Sequence, residues 1–522
     1  MVYLMSSKQE VALASRNHHS TMWFRQSRTV SKNVLNIENR ERFEMSNFNH
    51  RHFIWDVDAY KLGHMCQYPN DTEYVYSVLQ LRSDKTFKEV PVIGLQYLIK
   101  EYLMQPILEE DVKELIEESK TMGIYHPDTE TKLMALAKLG YLPLEIKALP
   151  EGSIVEMPNA ICTIQNTVEG FHWCVGMVET LLLKWWSALT TGACSLAYRR
   201  LVNQYFDETS DSDFLKPFAV HDFGSRGCMT PEGAAFTGMA HALNFDGSDT
   251  IITAPLVRKY YNAQGMVIAS VPASEHSVMC SFGRDEEIKA FEHMLETYPT
   301  GIASIVSDTY NWYDVMDNMV YDLKEKILAR DGKVVFRPDS GNPFDIICGE
   351  MPMRGIPMEY SSKEIGGIRA LDRAFGHTIN SKGYKVLDSH VGLIYGDGMY
   401  LERYEKTLAT LKYLGYSVEN LVIGVGGILR NYSRDSLGAA FKATCVCRNG
   451  VWTPIMKDPV TDQGKKSYKG FVYVSKQDGK YVTSNEETSE NLLTTVFKDG
   501  KLIKDYTWEE IKAHYNNELK GE

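Results

Sequence analysis

The stretch KVVFRPDSGNP, residues 333–343, is a short apolar run that ends in a polar loop with proline and glycine. Other runs have the same form, and helical patterns separate most of them: PFAVHDFGSRG (217–227), MVIASVPASEHS (266–277), IASIVSDTYN (302–311), VGLIYGDGM (391–399) and LVIGVGGIL (421–429). Strands that alternate with helices predict a parallel sheet, and continuous apolar strands predict burial on both faces. We therefore expect an α/β fold with a partial or irregular β/α barrel; a doubly wound sheet is the alternative.

The regions on either side of these runs are also rich in β-type sequence. EYVYSVLQL at 73–81 and residues 143–167 predict strands, with helices at 108–140 and from about 168 to 205. The tail carries two candidate hairpins that turn at Asp478-Gly479 and Asp499-Gly500. We expect the two flanks to form a second, β-rich α+β domain. The predicted segments are an N-terminal extension (1–50), an N-terminal α+β region (51–205), a barrel-like catalytic domain (206–435) and a C-terminal β-rich segment (436–522).

Composition excludes several classes of protein. The formal net charge is −12, which argues against a nucleic-acid binder held by general attraction to the phosphate backbone. The most apolar region, 175–189, contains Glu179 and Lys184 and is shorter than the roughly 20 apolar residues of a membrane span. The nine cysteines form no CxxC pair, which favours reduced thiols. We therefore expect a cytoplasmic protein without nucleic-acid or membrane partners.

The first 45 residues lack hydrophobic periodicity and contain several glutamates, which speaks against a transit peptide. They are interpreted as a disordered extension or as sequence upstream of a start at Met45.

Two predicted strand ends are rich in glycine. Gly396-Asp397-Gly398 and Gly424–Gly427 let backbone N–H groups approach an anion closely; a tight turn is the alternative interpretation. Between Arg430 and Gly470, eight Lys or Arg residues occur with only three Asp, in a chain that is acidic overall. This excess indicates either a cluster that binds several phosphate groups or a solvated basic face.

Titratable residues follow the other predicted strands: Arg226, His276, Asp308, Arg337 and Asp339. Carboxylates in this position suit sugar hydroxyls or a metal-bound water. The sequence has no Walker A motif, no GxGxxG in a suitable context, no HExxH and no nucleophile elbow. The residue types therefore indicate a site for an anionic sugar phosphate and leave the reaction open.

A series of motifs resembles the nicotinamide phosphoribosyltransferase family, of the type II phosphoribosyltransferases. The motifs run in family order from about residue 56 to 515: Asp58-Ala-Tyr60-Lys61 with His64, Gln67-Tyr68-Pro69, Gly94-Leu-Gln-Tyr97, His221-Asp-Phe-Gly-Ser-Arg226, Asn244-Phe-Asp-Gly-Ser-Asp249, Val271-Pro-Ala-Ser-Glu-His276, Val306-Ser-Asp308, Arg337-Pro-Asp-Ser-Gly-Asn-Pro343, Gly396-Asp-Gly398, Arg434-Asp435, Phe441-Lys442 and Lys457-Asp-Pro459. The resemblance implies transfer of a phosphoribosyl group from phosphoribosyl pyrophosphate to nicotinamide, in NAD salvage. It also implies a homodimer whose barrel mouths are each completed by the partner subunit.

The resemblance assigns the base-binding residues. It implies that Phe223 and Tyr60, the latter from the partner subunit, sandwich the pyridine ring. It further implies that Asp249 accepts a hydrogen bond from the carboxamide NH₂. The carboxylate of nicotinate would meet like charge there, so Asp249 favours nicotinamide.

The resemblance also assigns the contacts to phosphoribosyl pyrophosphate. Arg82, Arg226, Arg337, Lys457 and Lys465 match positions that hold pyrophosphate; Arg434, Lys442, Gly426 and Gly427 match the 5′-phosphate pocket; Asp339 and Gly396 match ribose contacts, with Asp397 in the same set. Mg²⁺ is expected on the diphosphate, without an assigned protein ligand. The implied reaction is displacement at ribose C1, in which Mg²⁺ and cationic side chains stabilise the leaving pyrophosphate.

The implied catalytic group is His276, Asp308, Arg337 and Asp339, and His276 matches a histidine that ATP phosphorylates, which makes ATP a coupled activator. Ala440 stands where the family has a phosphate-contacting serine, and Ser225 replaces an aromatic residue. The glycine run at 424–427 is one residue shorter, and 344–380 differs as an expected surface excursion. The alternatives are a nicotinate phosphoribosyltransferase and a noncatalytic protein that binds phosphorylated sugars.

Overall fold

The computed structural model describes residues 52–461 and 465–521; the extension expected at 1–50 lies outside them. The strands in chain order are β1 (Thr72–Leu81), β2 (Glu89–Pro91), β3 (Leu144–Ala148), β4 (Ile154–Glu156), β5 (Asn159–Asn166), β6 (Val220–Asp222), β7 (Ala303–Val306), β8 (Val334–Arg337), β9 (His377–Ile379), β10 (Lys385–Leu387), β11 (Val391–Tyr395), β12 (Leu421–Val425), β13 (Ala440–Arg448), β14 (Val451–Pro454), β15 (Tyr473–Gln477), β16 (Lys480–Ser484), β17 (Thr494–Lys498) and β18 (Lys501–Leu502). The predicted strand at 73–81 and both C-terminal hairpins are confirmed.

Helices separate most of these strands. The longer ones are Glu109–Thr121, Pro127–Leu139, Trp186–Thr209, Pro231–Asn244, Thr253–Tyr261, Glu287–Thr297, Gly367–Phe375, Leu401–Leu414 and Trp508–Lys520. The Thr230 side chain caps the helix Pro231–Asn244 by accepting a hydrogen bond from the Gly233 N–H at 3.0 Å. Among the described residues, no helix is long and apolar enough to cross a membrane.

A parallel sheet with the strand order β6-β12-β11-β8-β7 forms the centre of the fold. Its two edge strands are connected by single parallel bridges rather than by full ladders. Ser248 bridges to Asp222 at the end of β6, Gly247 bridges to Ala269, and Ala273 bridges to Ser304 in β7. These bridges close the sheet into an irregular β/α barrel, so the predicted fold class is confirmed.

The strand predicted at 266–277 is wrong. This segment pairs only at isolated positions, and its last two residues begin the helix His276–Cys280. Pro272 has no N–H with which to continue a ladder, although its carbonyl accepts a hydrogen bond from Ser304 at 2.9 Å. An apolar run is therefore insufficient for a strand at this position.

A second sheet is antiparallel and joins the two ends of the described chain. Its order is β14-β13-β1-β5-β3-β17-β18, so the N-terminal strands β1, β5 and β3 lie in the centre and C-terminal strands lie on both sides of them. β1 pairs with β13 on one side and with β5 on the other. This arrangement agrees with the predicted second domain, while the boundaries at 205 and 435 stay predictions.

Two further expectations need correction. The long helix expected from 168 to 205 is divided into Cys174–Met177, Glu179–Leu183 and Trp186–Thr209. The divisions allow Trp173 and Trp185 both to be buried, and the Trp185 indole donates a hydrogen bond to Ile93 O at 2.7 Å. Residues 344–380 are not only a surface excursion, because the helix Gly367–Phe375 buries Ile368 and Leu371 in the core.

Candidate active site

The carboxyl ends of the parallel strands carry the mouth of the barrel, where two acids meet one histidine. His276 Nε2 lies 3.1 Å from Asp339 Oδ1 and 3.8 Å from Asp308 Oδ1. The Asp308 side chain is only 4% exposed, whereas that of His276 is 46% exposed. The structure therefore brings these three predicted residues together, with the imidazole accessible from solvent.

Asp308 organises the loop after β8. Its Oδ2 accepts hydrogen bonds from the Asp339 N–H at 2.9 Å and the Ser340 N–H at 2.8 Å, and also from the Ser340 hydroxyl. Its other oxygen, Oδ1, is buried and has no hydrogen-bond partner. The absence of a side chain at Gly396 completes this arrangement, since a Cβ there would lie 3.1 Å from Asp339 Cβ.

Arg337 ends β8 and lies among carboxylates. Its Nη2 donates a hydrogen bond to the Ser274 carbonyl at 2.6 Å, which anchors the segment before His276. Burial lowers the pKa of this guanidinium, while Asp339, Asp249 and Asp308 counteract the shift. Its Nε is buried without a hydrogen-bond partner, so the side chain retains capacity to bind a further acceptor.

Two of the three predicted base-binding residues, Asp249 and Phe223, also lie at the mouth. Asp249 Oδ1 lies 3.1 Å from His221 Nε2 and also accepts a hydrogen bond from the Ser270 hydroxyl. Burial raises the pKa of Asp249, but these two hydrogen bonds outweigh burial and lower the pKa overall. Asp249 is thus held as a carboxylate.

Phe223 stands beside this carboxylate, with its ring centroid 4.9 Å from that of His221. The ring packs against the backbone of Gly424, where a Cβ would come within 2.2 Å of it. The Phe223 N–H donates to Val425 O at 2.8 Å, which fixes its backbone against β12. Phe223 and Asp249, both next to His221, thus offer an aromatic face and a carboxylate to a flat ring that carries an N–H donor, and we call this part of the mouth the base pocket.

An ion pair that the sequence did not predict lies beneath this pocket. Arg430 Nη1 and Nη2 contact Asp222 Oδ1 and Oδ2 at 2.5 and 2.7 Å. Arg430 was counted in the sequence as part of a cationic excess near the phosphate glycines; the structure shows that Asp222 neutralises it. The available signal in the sequence is an aspartate at the end of an apolar run, since Asp222 is the last residue of β6.

The glycine loops and Arg226 also lie at the mouth. Gly426 and Gly427 follow β12, and a Cβ at Gly227 would lie 3.4 Å from Gly427 Cα, so the loop after β6 touches the loop after β12. Arg226, in the loop after β6, and Asp397, in the loop after β11, are exposed. The mouth therefore combines backbone N–H groups with both signs of charge.

The remaining predicted residues lie on the antiparallel sheet or in the segment that leads to it. Lys442 in β13 and Lys61 both approach Glu179, at 3.8 and 2.6 Å. Burial lowers the pKa of Lys442; Glu179 opposes this shift, and nearby Arg82, Lys457 and Lys61 add to it. We call Arg82, Lys442 and Lys457 the basic group.

The basic group is poorly supplied with anions. Arg82 Nε donates to Gly438 O at 3.2 Å, but its Nη1 is buried without a hydrogen-bond partner. Arg434 pairs with the adjacent Asp435 at 2.7 Å, and Lys465 is exposed next to residues that the structure does not describe. The basic group can therefore receive a polyanion.

Tyr60 lies beside Lys61 rather than at the mouth. Its side chain is 62% exposed, and Lys61 Nζ stands 5.7 Å from the ring centroid. Among the described residues its ring pairs with His64 and not with Phe223. Within one chain, therefore, the predicted aromatic sandwich is not formed.

The mouth also contains atoms that suit a divalent cation. His276, Asp308 and Asp339 each offer one ligand atom, and these atoms lie within 4.8 Å of one another. Carboxylate oxygens are the ligands that Mg²⁺ prefers, and the unpartnered Oδ1 of Asp308 is one of them. The residues present thus fit Mg²⁺ through the two aspartates better than through the histidine.

Comparison with known proteins gives consistent results. Residues 218–501 match the nicotinate phosphoribosyltransferase (NAPRTase) family, and residues 52–146 match the nicotinamide phosphoribosyltransferase N-terminal domain. A nicotinamide phosphoribosyltransferase of Acinetobacter baylyi is 38% identical over 89% of this chain and 97% of its own length. One from Xanthomonas campestris pv. campestris is 33% identical over 88% of this chain and 97% of its own length.

Solved structures show the same fold. A nicotinate-nucleotide pyrophosphorylase from Pyrococcus furiosus superposes with a TM-score of 0.58 at 16% identity, covering 90% of this chain and 96% of its own. Human nicotinic acid phosphoribosyltransferase gives a TM-score of 0.56 at 16% identity, covering 89% of this chain and 94% of its own. At this identity the likeness concerns the fold alone.

Proposed function

The chain belongs to the nicotinamide phosphoribosyltransferase branch of the nicotinate phosphoribosyltransferase family, and we propose that Asp249 selects nicotinamide as the base that receives the phosphoribosyl group. The enzyme forms nicotinamide mononucleotide and pyrophosphate, a reaction of NAD salvage. The observation that carries the choice of base is Asp249, whose Oδ1 is already engaged by His221 and Ser270. Its Oδ2 is left to accept the carboxamide N–H, and a nicotinate carboxylate would meet like charge there.

The remaining site residues then have consistent roles. Phe223 stacks on the pyridine ring, Asp339 faces the ribose, and Arg337 stabilises the charge that develops on the leaving pyrophosphate. Mg²⁺ held by Asp308 and Asp339 would neutralise part of the diphosphate charge. Holding the ring nitrogen and ribose C1 at a fixed distance lowers the entropic cost of the displacement. We expect this reaction in the cytoplasm.

The test of base choice is a competition between nicotinamide and nicotinate for one limited pool of phosphoribosyl pyrophosphate, with both mononucleotides quantified. We expect the wild type to form nicotinamide mononucleotide. Asp249→Asn should lower the ratio of the two products about tenfold or more, because it removes the like charge that excludes nicotinate.

Asp246→Asn is the matched control for this substitution. Asp246 belongs to the same loop but pairs with Lys512 at 2.6 Å, so its replacement should leave the product ratio unchanged. A wild type that prefers nicotinate would overturn the choice of base, and a wild type that forms neither product would point to a noncatalytic sugar-phosphate binder.

The position of Tyr60 supports a shared active site. Tyr60 is exposed and lies with Lys61, Glu179 and Lys442, away from Phe223 of its own chain. We propose a homodimer in which each chain supplies Tyr60 and the basic group to the barrel mouth of its partner. The aromatic sandwich and the phosphate contacts would then form together.

Complementation tests this arrangement. Tyr60→Ala and Phe223→Ala should each be nearly inactive alone. Randomly mixed subunits should recover about a quarter of wild-type activity, because half of the dimers are mixed and each mixed dimer has one intact site. Sites built within single chains would recover nothing on mixing.

ATP coupling through His276 is the last part of the proposal. The imidazole is 46% exposed and lies within 3.1 Å of Asp339, so a phosphoryl donor can reach it and a carboxylate can orient it. Labelled ATP should give an acid-labile phosphoprotein and should stimulate product formation. His276→Ala should lose both effects, and the exposed His293→Ala should keep both; stimulation that survives His276→Ala would exclude this role.

A further inference from the structure

The ion pair between Asp222 and Arg430 connects the two halves of the barrel mouth. Asp222 is the last residue of β6, next to Phe223, and Arg430 ends the turn Gly427–Arg430 after the glycine loop of β12. The two side chains are 0% and 5% exposed. A residue of the base pocket is therefore bound directly to a residue of the loop that carries Gly426 and Gly427.

The geometry of the pair is bidentate and fully engaged. The two Arg430 Nη atoms contact the two carboxylate oxygens at 2.5 and 2.7 Å, and Arg430 Nε contacts Thr237 Oγ1 at 3.3 Å. Burial raises the pKa of Asp222, but the attraction and hydrogen bonds of Arg430 outweigh burial and hold it at about 2. Such a fork fixes orientation as well as distance.

Asp222 also holds the backbone on both sides of the base-binding residues. It accepts hydrogen bonds from the Gly224 N–H at 2.8 Å, directly after Phe223, and from Thr250 Oγ1 at 2.9 Å, directly after Asp249. The Ser248 hydroxyl, directly before Asp249, lies 3.4 Å from Oδ2. One carboxylate thus determines where the ring-stacking and amide-accepting residues stand.

The loop after β6 also packs closely against the Arg430 side chain. A Cβ at Gly224 would lie 2.2 Å from Arg430 Nη1 and 2.9 Å from the Gly426 carbonyl, so the two loops approach at a point that only glycine allows. Any displacement of Arg430 would therefore move the glycine loop relative to Phe223.

From these contacts we propose that Asp222 and Arg430 are positioning residues that fix the glycine loop against the base pocket. This inference rests on the proposed function, in which the base and the phosphoribosyl group must meet at a defined distance. Neither side chain touches a reacting atom. Both act through the residues they hold, namely Phe223, Asp249 and the loop glycines.

The informative variant is the neutral pair Asp222→Asn with Arg430→Gln. Removal of Arg430 alone would leave a buried carboxylate unpaired and would destabilise the fold, whereas the double variant leaves no buried charge. We expect the double variant to unfold at nearly the wild-type temperature. Its kcat/KM should fall about 100-fold, since small misplacements of reacting groups have effects of this size.

Arg369→Gln is the matched control for the loss of a buried arginine. Arg369 is 6% exposed, lies in the helix Gly367–Phe375 and donates to backbone carbonyls such as Ile365 O at 2.6 Å. It should lower the melting temperature and leave kcat/KM within about twofold of wild type, because its contacts are to backbone alone. A folded double variant with kcat/KM within about threefold of wild type would overturn the inference.

Arg430→Lys provides a second test that keeps the charge. Lysine cannot reproduce the bidentate fork, so we expect a folded enzyme with kcat/KM reduced about tenfold. Wild-type kcat/KM in this variant would contradict a positioning role even if the double variant failed to fold. An inactive wild type would instead refute the proposed function, which keeps the two failures distinct.

Discussion

The barrel mouth and the basic group on the antiparallel sheet differ in how the charges of their side chains are balanced. At the mouth, polar side chains find partners within the chain: Asp222 pairs with Arg430, and His276 Nε2 lies 3.1 Å from Asp339 Oδ1. In the basic group, Lys442 has cations around it, and Arg82 keeps a buried nitrogen without a partner. The mouth is thus preassembled, whereas the cations of the sheet outnumber their one nearby carboxylate, Glu179, so that further anions must come from outside the chain.

We expect the largest effect on activity from removal of a cation at the mouth. Arg337→Gln should lower kcat/KM about 1000-fold, because a preorganised charge at a developing negative centre contributes effects of this order. Steady-state kinetics with varied phosphoribosyl pyrophosphate measures the change.

Arg330→Gln is the control, since Arg330 also donates to backbone carbonyls but lies before β8, at the opposite end of the barrel strands. It should affect stability and leave kcat/KM near the wild-type value. Equal kinetic losses in the two variants would show that Arg337 serves only the fold.

Two buried carboxylates, one at the mouth and one near the antiparallel sheet, differ in pKa and should therefore respond differently to pH. Asp222 pairs with Arg430, which holds its pKa at about 2. Glu151, near the antiparallel sheet, has no cation among the groups that set its pKa, and burial raises that pKa to about 7. The Gln96 N–H donates to Glu151 Oε1 at 2.7 Å, but Oε2 is buried without a partner.

Glu151 should therefore make stability depend on pH. Because its folded pKa lies above the unfolded value, its contribution is present below about pH 4.5 and is lost as pH rises through about 7, a change of about 3 kcal/mol. Glu151→Gln should remove this slope. Urea unfolding at pH 5 and pH 8 measures it, and parallel pH profiles for wild type and variant would contradict the assignment.

Much of the mouth could be predicted because parallel strands place their carboxyl ends together. His276, Asp308 and Asp339 follow three separate apolar runs, and the structure brings them within one site. The Asp222–Arg430 pair could not be predicted in the same way. Its partners are 208 positions apart, and the charge count includes Arg430 only in an excess that predicts either a phosphate-binding cluster or a solvated basic face.

The irregular pairing of residues 266–277 in the barrel could not be predicted from sequence patterns either. Residues 266–277 are apolar enough for a strand, yet pairing at Ala269 and Ala273 is limited to single bridges. The pattern reports burial, and an extended segment that closes a barrel is buried as well. Whether Tyr60 meets Phe223 depends on a second chain, which no single-chain pattern specifies.

A substitution in the basic group should have a smaller effect than one at the mouth. Lys442→Gln should raise the KM for phosphoribosyl pyrophosphate about tenfold, the order of one charge-assisted hydrogen bond. The melting temperature should change little, because the substitution removes both the repulsion from Arg82 and Lys457 and the attraction to Glu179.

The pH dependence gives an independent check. Since the Lys442 pKa is lowered, the lysine loses its charge at a lower pH than an ordinary lysine, and KM should rise accordingly on the alkaline side. The variant should lack this rise. Lys412→Gln, which breaks the surface pair with Glu208, should alter neither KM nor its pH profile.

The smallest expected effect comes from adding a group to the sheet. Ala440 begins β13 and is two residues before Lys442, so both side chains point to the same face of the strand. A hydroxyl at position 440 would add one donor beside the Lys442 amine. Ala440→Ser should therefore lower the KM for phosphoribosyl pyrophosphate about two- to fivefold, the range of one neutral hydrogen bond.

Ala443→Ser is the control for this gain, because Ala443 pairs with Ser77 and follows Lys442 directly on the strand, which turns its side chain to the other face. It should leave KM unchanged. If both serines lowered KM equally, the gain would reflect a general effect on β13 and not a phosphate contact. A gain confined to Ala440→Ser would show that the basic group can use a further hydrogen-bond donor for its anion. Several side chains of the mouth, in contrast, already have their partners within the chain.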